Sequence, residues 1–166
     1  MSVQPIIATL KQLEQCYEQM MEQGHRKTQI IIRNEINELM KIMIAEKGIM
    51  RKIQEAEDVL SEQSQAFIRS KGIKSQLKLT ISELLKLVFN AEEKLALKEA
   101  QQSLNDLLHQ MKQLNDHNQQ LLEQSLQFAN YQLDLMVEHP EDNAFYKRPD
   151  HARNAYYPAG KLDTRG

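Results

Sequence analysis

Apolar residues recur at alternating three- and four-residue steps along most of this chain. The clearest run has its seam positions at Leu104, Leu107, Met111, Leu114, Leu121, Phe128 and Leu135. Asn118, Ser125 and Gln132 occupy the remaining positions of the same seam. This spacing keeps one stripe of a helix facing its partners, as in a coiled coil. The pattern therefore predicts a long helix that packs lengthwise against other helices.

A second apolar stripe opens beside this seam in the last turns of the same helix. It consists of Leu122, Leu126, Ala129, Leu133 and Met136. A wider apolar face needs an additional partner, because a contiguous apolar patch is unfavourable in water. We expect that partner to be another helix of this chain or a helix of a different protein.

The positions of proline and glycine predict where the helices begin and end. No proline lies between Pro5 and Pro140, and this interval is therefore expected to be helical, because proline breaks helices most strongly. We expect a first helix from Ser2 to Glu22, capped by Ser2 and ended by Gly24 in a left-handed conformation. Its expected core stripe is Val3, Ile6, Leu10, Leu13, Tyr17 and Met20.

The second helix is predicted to run from Thr28 to about Ser70. Its expected core stripe is Ile32, Ile36, Leu39, Met43, Met50, Ile53, Leu60 and Phe67, broadened early by Ile30, Met40 and Ile44. Gly48 lies inside this pattern and is expected to be tolerated there, although glycine costs about 1 kcal/mol relative to alanine within a helix.

Two residue pairs have the spacing of a capping box, in which two side chains satisfy the free N–H groups at a helix start. Thr80 with Glu83 predicts a short third helix. Asn90 with Glu93 predicts the start of the final helix, which we expect over residues 91–138.

Residues 139–166 differ in composition from the rest of the chain. They mix charges, prolines and glycines without a helical period, which predicts an extended or disordered tail. The tail nevertheless contains Phe145, Tyr146, Tyr156 and Tyr157, which indicates a docking motif or a return onto the helices. The overall prediction is an all-α protein. Residues 1–138 form an elongated antiparallel helical bundle of coiled-coil type with three long helices and one short helix, followed by the tail.

Composition argues against several classes of function. The 21 basic and 23 acidic residues nearly cancel, and no basic cluster is interleaved with aromatic residues, which argues against nucleic-acid binding. No apolar run approaches the roughly 18 residues of a membrane span. The N-terminal MSVQPII does not resemble a signal peptide. Cys16 is the sole cysteine, so no disulfide forms within the chain, and this fits a reducing cytoplasm.

Residue patterns typical of catalytic or metal sites are largely missing. Glu22 and His25 form an E-x-x-H pair, which is half of a di-iron motif and has no second copy. The five glycines are not clustered, which excludes a glycine-rich phosphate loop. We therefore predict a protein that is not an enzyme and has no catalytic residues, no cofactor and no metal.

The segment LNDHNQQLLEQSLQF, from Leu114 to Phe128, resembles the signature N-x-x-N-x-x-L-L-x-x-S-L-x-F of the FlgN family. The segment LTISELL, from Leu79 to Leu85, is similar to the family's T-[LI]-S-E-L element. The order of helices and a Tyr-x-x-x-Gly element at residues 156–160 are also similar. Members of this family are flagellar type III export chaperones. The resemblance implies a cytoplasmic chaperone without ATPase activity that keeps hook–filament junction proteins unassembled and brings them to the export gate.

This resemblance makes the widened face of the last helix the expected client-binding surface. An amphipathic terminal helix of a client would lie in a groove there. The expected contact residues are Asn115, Asn118, Leu121, Leu122, Ser125, Leu126, Phe128 and Leu133. The two asparagines have the position to fix register, because a buried Asn on a seam disfavours shifted pairings. A core within the chain remains the alternative for each of these residues.

Tyr156 and Tyr157 are the expected docking residues for the cytoplasmic domain of the export gate. The free protein is expected to be a monomer or weak homodimer that does not insert into membranes. The alternative function is a coiled-coil scaffold or adaptor without a chaperone role, which dimerises through the same wide face.

Overall fold

The computed structural model describes residues 2–74 and 79–137, and over these residues it contains four helices and no strand. The helices are α1 (Gln4–Arg33), α2 (Ile36–Ser70), α3 (Ile81–Leu87) and α4 (Ala91–Val137). The prediction of an all-α fold with three long helices and one short helix is confirmed. The predicted tail, residues 139–166, lies outside the described residues.

The chain divides into two compact units, of which the first ends at Ser125 and the second begins at Leu126. In the first unit, α1 and α2 pair in antiparallel directions. Thr9 Oγ1 near the start of α1 donates a hydrogen bond of 2.8 Å to Gln63 Oε1 near the end of α2. Lys27 and Glu46, close to the connection between the two helices, form an ion pair of 3.0 Å.

Within the same unit, α4 runs parallel to α1. The Ser2 hydroxyl donates to Glu93 Oε1 at 2.6 Å across a separation of 91 residues. Thr28 contacts Asn118 across a separation of 90 residues. The nearly constant separation shows that the two helices keep one register between these two contacts. Residue 33, the last of α1, is therefore level with about residue 123 of α4.

The core of the first unit is densest where α1 begins and α2 ends. Its most deeply buried large side chains are Val3, Ile6, Ile68, Leu84 and Leu97. Each such side chain contributes roughly 1.5–3 kcal/mol when it leaves water. Leu84 belongs to the short helix α3, which closes this end of the core. The predicted α1 stripe is confirmed, with Tyr17 half-buried and its other members buried.

The predicted boundary between the first two helices is wrong. Gly24 lies inside α1 and is followed by nine more helical residues up to Arg33. The residue that ends α1 is Asn34, which adopts the left-handed conformation (φ 59°, ψ 35°), and its N–H bonds to the Ile31 carbonyl at 3.1 Å. Asparagine accepts this conformation better than other non-glycine residues, so it can replace glycine at a helix C-cap. Thr28 consequently belongs to α1.

The predicted core stripe of α2 is correct only in its second half. Ile53 and Phe67 are buried, but the preceding part of the helix buries Ile42 and Ile49 instead of Met43 and Met50. Met43 and Met50 are 54% and 61% exposed. Ile32 and Ile36, also predicted as core, are 62% and 64% exposed. The segment LMKIMIAEKGIM places apolar residues on several sides of the helix, so its spacing does not select the face that packs.

The cap of α3 agrees fully with its prediction, and the cap of α4 agrees in part. Thr80 and Glu83 form the complete capping box. Asn90 Oδ1 accepts from the N–H groups of Glu92 and Glu93 at 2.9 and 3.2 Å. The Glu93 carboxylate does not return to Asn90 and instead accepts the bond from Ser2. The last helix begins at Ala91 as predicted.

Candidate helix-binding groove

A groove of about 480 Å³ lies between α1, α2 and α4 in the first unit. We call it the central groove. Its lining residues are Tyr17, Met20, Lys27, Glu46, Met50, Ile53, Gln54, Glu57, Met111, Asn115, Asn118, Gln119 and Leu122. Each helix contributes a stretch of three turns, about 16 Å at 1.5 Å per residue.

The apolar part of the central groove is rich in methionine. Met20 is buried, Met111 is half-buried and Met50 is 61% exposed. Ile53 is buried and Leu122 is half-buried. Methionine is unbranched and has three rotatable bonds, so it adjusts to side chains of different shape. These methionines therefore make the apolar lining of the groove adaptable in shape.

Polar side chains form the rim of the central groove. Lys27 and Glu46 make the ion pair of 3.0 Å, with 21% and 18% of their side chains exposed. Pairs that remain in contact with water contribute only about 0–1 kcal/mol. Asn115 and Gln119 on α4 are exposed lining residues whose amides offer both donors and acceptors, and Gln119 Nε2 donates to Glu123 Oε1 at 3.2 Å.

The opposite end of the groove carries a tyrosine–glutamate contact. Tyr17 Oη lies 3.5 Å from Glu57 Oε1. Burial raises the pKa of the Tyr17 hydroxyl above its usual value, and the neighbouring Glu57 carboxylate raises the pKa further. Tyr17 therefore stays neutral at physiological pH and acts as a hydrogen-bond donor at the groove wall.

A buried polar cluster holds α4 against α1 beside the groove. Asn118 is only 3% exposed, and its Nδ2 donates to the Gly24 carbonyl at 2.9 Å. The Thr28 hydroxyl lies 2.5 Å from Asn118 Oδ1 and 3.1 Å from the Gly24 carbonyl oxygen. Both halves of the Asn118 amide are thus bonded within the molecule. We call Gly24, Thr28 and Asn118 the α1–α4 polar cluster.

Gly24 permits the close approach that this cluster requires. A Cβ atom at Gly24 would lie 2.6 Å from Leu114 Cδ2, well inside the contact distance of two carbon atoms. Glycine inside a helix costs about 1 kcal/mol relative to alanine. Here the absence of a side chain lets Leu114 pack over the α1 backbone and lets the Asn118 amide reach the Gly24 carbonyl.

The structure brings part of the predicted client-binding set to the central groove. Asn115, Asn118 and Leu122 line it. Leu121 and Ser125, at the end of the same unit, are half-buried. Asn118 is bonded within the molecule, so it shapes the wall of the groove.

The other predicted contact residues lie in the second unit, in the α4 segment 126–137. Leu126, Phe128 and Leu133 are 65%, 61% and 59% exposed. Tyr131, Leu135, Met136 and Val137 are exposed as well. This segment therefore presents several large apolar side chains to water.

The α2 wall of the central groove was not predicted. Met50 and Ile53 had been assigned to the core, and Glu46, Gln54 and Glu57 had been given no role. The seven-residue spacing of Ile36, Met43 and Met50 was the available signal. It could not distinguish a stripe that packs inside the chain from one that lines a groove.

The described residues contain no helix long and apolar enough to cross a membrane. Within 2–74 and 79–137 there is also no group of three His, Cys, Asp or Glu residues able to hold a metal ion. Glu22 and His25 are both exposed on α1. Tyr156 and Tyr157, predicted to dock on the export gate, lie outside the described residues.

Three long helices that pack lengthwise and leave a groove between them define an all-α helical bundle. Comparison with protein families is consistent with this class. The family model described as FlgN protein matches residues 1–154. The chain therefore belongs to the FlgN family, as its resemblance predicted, and membership points to a role as a chaperone of flagellar export.

One curated relative is the uncharacterized protein YvyG of Bacillus subtilis strain 168. It is 29% identical to this chain over 145 residues, which cover 87% of this chain and 86% of the relative. No solved structure matches the chain.

Proposed function

We propose that this protein is a cytoplasmic chaperone that binds an amphipathic terminal helix of hook–filament junction proteins. The observation that carries the proposal is the central groove, which is three helical turns long, apolar at its floor and polar at its rim. An amphipathic helix that waits for assembly exposes an apolar stripe, and this stripe associates prematurely unless it is covered. The groove covers such a stripe and leaves the polar face of the client in water.

Two further features of α4 support this function. Leu122 ends the groove on α4, and the segment 126–137 of the same helix exposes further apolar side chains. We assign client contact to Asn115, Leu121, Leu122, Ser125, Leu126, Phe128 and Leu133. Asn118 supports them from the α1–α4 polar cluster by fixing the position of α4.

Delivery needs a surface that the client leaves free. We assign it to Tyr156 and Tyr157, which would dock on the cytoplasmic domain of the export gate. Tyrosine buries a large area and has few rotatable bonds to immobilise, so it suits the anchor of a short peptide segment.

The test of client binding uses Leu122→Asp and Phe128→Asp. A carboxylate desolvated against an apolar client is strongly unfavourable. We expect each variant to lose at least tenfold in affinity for purified junction proteins, about 1.4 kcal/mol, while helix content stays close to that of the wild type. Isothermal titration calorimetry and circular dichroism provide the two measurements.

The matched control for this test is Leu95→Asp. Leu95 is also on α4 and is 58% exposed, but lies on about the opposite side of the helix from Leu122. The affinity of the Leu95→Asp variant for junction proteins should stay within twofold of that of the wild type. If Leu122→Asp and Phe128→Asp instead unfold the free protein, these residues belong to an internal core and the client binds elsewhere.

A dimerising scaffold is the second candidate function, and the exposed apolar residues of α2 favour it. Ile36, Met40 and Met43 are 64%, 59% and 54% exposed, and such a stripe can pair with itself. Light scattering after size-exclusion chromatography separates the two functions. The chaperone is a monomer or weak dimer that becomes a 1:1 complex with the client, whereas the scaffold is a stable dimer without one.

A further inference from the structure

The face of α2 that lines the central groove continues as an exposed apolar row toward the connection between α1 and α2. Met50 lines the groove, and Met43 and Ile36 precede it by seven and fourteen residues. Residues seven apart on an α-helix differ in direction by only about 20°. Ile36, Met43 and Met50 therefore form a single row, which we call the α2 row. All three side chains are more than half exposed, at 64%, 54% and 61%.

Two basic side chains lie on the outer edge of the α2 row, near its groove end. Lys47 and Arg51 lie beside it and are exposed. The ion pairs in the described parts of the chain join Lys27 to Glu46 and Lys41 to Glu38, so neither Lys47 nor Arg51 has an ion-pair partner there. A charged edge beside an apolar row is the arrangement by which coiled coils select partners of opposite charge.

We infer that the α2 row and the central groove form one continuous binding face for a single amphipathic helix. Its apolar residues repeat in heptads, and acidic residues lie along the flank that meets Lys47 and Arg51. From Ile36 to Glu57 the face covers 21 residue steps, about 32 Å or six turns of helix. The bound helix is therefore about twice as long as the central groove alone. This inference rests on the proposed function and specifies the length, repeat and charge of the client segment.

The spacing of the α2 row favours a helical occupant. Its members are about 10.5 Å apart along the axis, because seven residues rise by this distance. A partner helix with heptad spacing presents an apolar residue at the same interval, so each member of the row meets one apolar side chain. The row is continuous with the groove at Met50, which belongs to both, and a single helix can therefore cover both surfaces.

Three aspartate substitutions on α2 test the inference, with purified hook–filament junction proteins of the same bacterium as probes. Met50→Asp alters the groove and the row together, and Met43→Asp alters the row alone. Val59→Asp is the matched control, because Val59 is an exposed apolar residue of the same helix that lies about 160° around the axis from Met43. Affinity is measured by calorimetry, helix content by circular dichroism and the mass of the free protein by light scattering.

We expect Met43→Asp and Met50→Asp each to weaken client binding at least tenfold, with Val59→Asp within twofold of wild type. Lys47→Glu combined with Arg51→Glu should weaken binding, and added salt should then strengthen this contact where it weakens that of the wild type, because the flanking charges are repulsive. Helix content should be unchanged in every variant, since the substituted residues are exposed.

Other results overturn the inference in distinguishable ways. If Met43→Asp binds like wild type while Met50→Asp is impaired, the client ends at the central groove and the proposed function stands without the row. If neither substitution affects binding, or the wild type binds no junction protein, the groove function itself fails. If the free wild type is a dimer and Met43→Asp is a monomer, the row binds a second copy of this chain.

Discussion

At the scale of single residues, the α1–α4 polar cluster sets the position of the groove wall. Leu114 and Asn118 are successive contacts of α4 with α1, and both depend on the bare backbone at Gly24. A shift of α4 by one residue would turn the Asn118 amide away from the Gly24 carbonyl and leave buried polar groups unpaired. Such groups cost about 1–3 kcal/mol each. The cluster thereby favours one register in which Asn115, Gln119 and Leu122 face the groove.

The coupling within this cluster can be measured with a double-mutant cycle on Thr28→Val and Asn118→Ala. Each single substitution should lower the free energy of unfolding by about 1–2 kcal/mol, because a buried hydrogen bond is lost. The double variant should lose less than the sum, since Thr28 and Asn118 bond to each other. Urea denaturation gives the values. Losses that add within about 0.3 kcal/mol would show that the hydroxyl and the amide act independently.

At the scale of helices, sequence pattern located the elements better than it located their ends. Two of the helix boundaries carry capping signals, and the caps at Thr80 and Asn90 were placed correctly by them. The α1–α2 boundary was missed because Gly24 and Asn34 are both capable of a left-handed turn. Tertiary contact decides between them. Gly24 is required for packing against Leu114, a contact ninety residues away in sequence that no local pattern records.

The capping box of α3 predicts a pH dependence for this helix. The Thr80 N–H at 2.7 Å and then the Thr80 hydroxyl at 3.0 Å donate to the Glu83 carboxylate and lower its pKa below the usual value. A depressed pKa means that the carboxylate stabilises the folded state above its unfolded-state pKa. This contribution is lost as the pH falls through the folded-state pKa.

Carboxyl NMR titration should therefore find Glu83 ionised at a lower pH than is usual for a glutamate. In Thr80→Val the backbone N–H remains and the hydroxyl is absent. The titration midpoint of Glu83 should therefore move part of the way back toward the usual value for a glutamate. The helical signals of α3 should weaken at acid pH in the wild type and show less pH dependence in Glu83→Gln. An ordinary titration midpoint for Glu83 in the wild type would contradict the capping role.

At the scale of the whole molecule, the sequence predicted the fold class and the α4 wall of the groove, but not its α2 wall. The α4 signature includes Asn115 and Leu122, which line the groove, because the whole signature lies in one helix. The α2 wall required knowing which side of α2 packs against α1, and Met43 and Ile42 are adjacent and equally apolar. Only the packed structure shows that Ile42 is buried and Met43 exposed.

The separation of client binding from delivery gives a prediction for the complete chain. Tyr156→Ala combined with Tyr157→Ala should leave client affinity unchanged in calorimetry. Binding of the loaded complex to the cytoplasmic domain of the export gate should weaken at least tenfold, about 1.4 kcal/mol, because two large anchoring rings are lost. The same variant binding its client more tightly than wild type would indicate that these tyrosines cover the empty groove instead.

The parallel pairing of α1 with α4 also has a consequence for biosynthesis. The α1–α2 hairpin can form from neighbouring segments as soon as both are synthesised. The hydrogen bond of Thr28 with Asn118 can form only after a further 90 residues have been synthesised. At translation rates of roughly 5–20 residues per second, that wait is about 5–18 s. Leu114, which packs on α1 at Gly24, emerges from the ribosome only near the end of this interval. A newly made copy of this protein thus displays one face of its own hairpin to the cell for several seconds, and that face is open to trigger factors and proteases until the last helix docks.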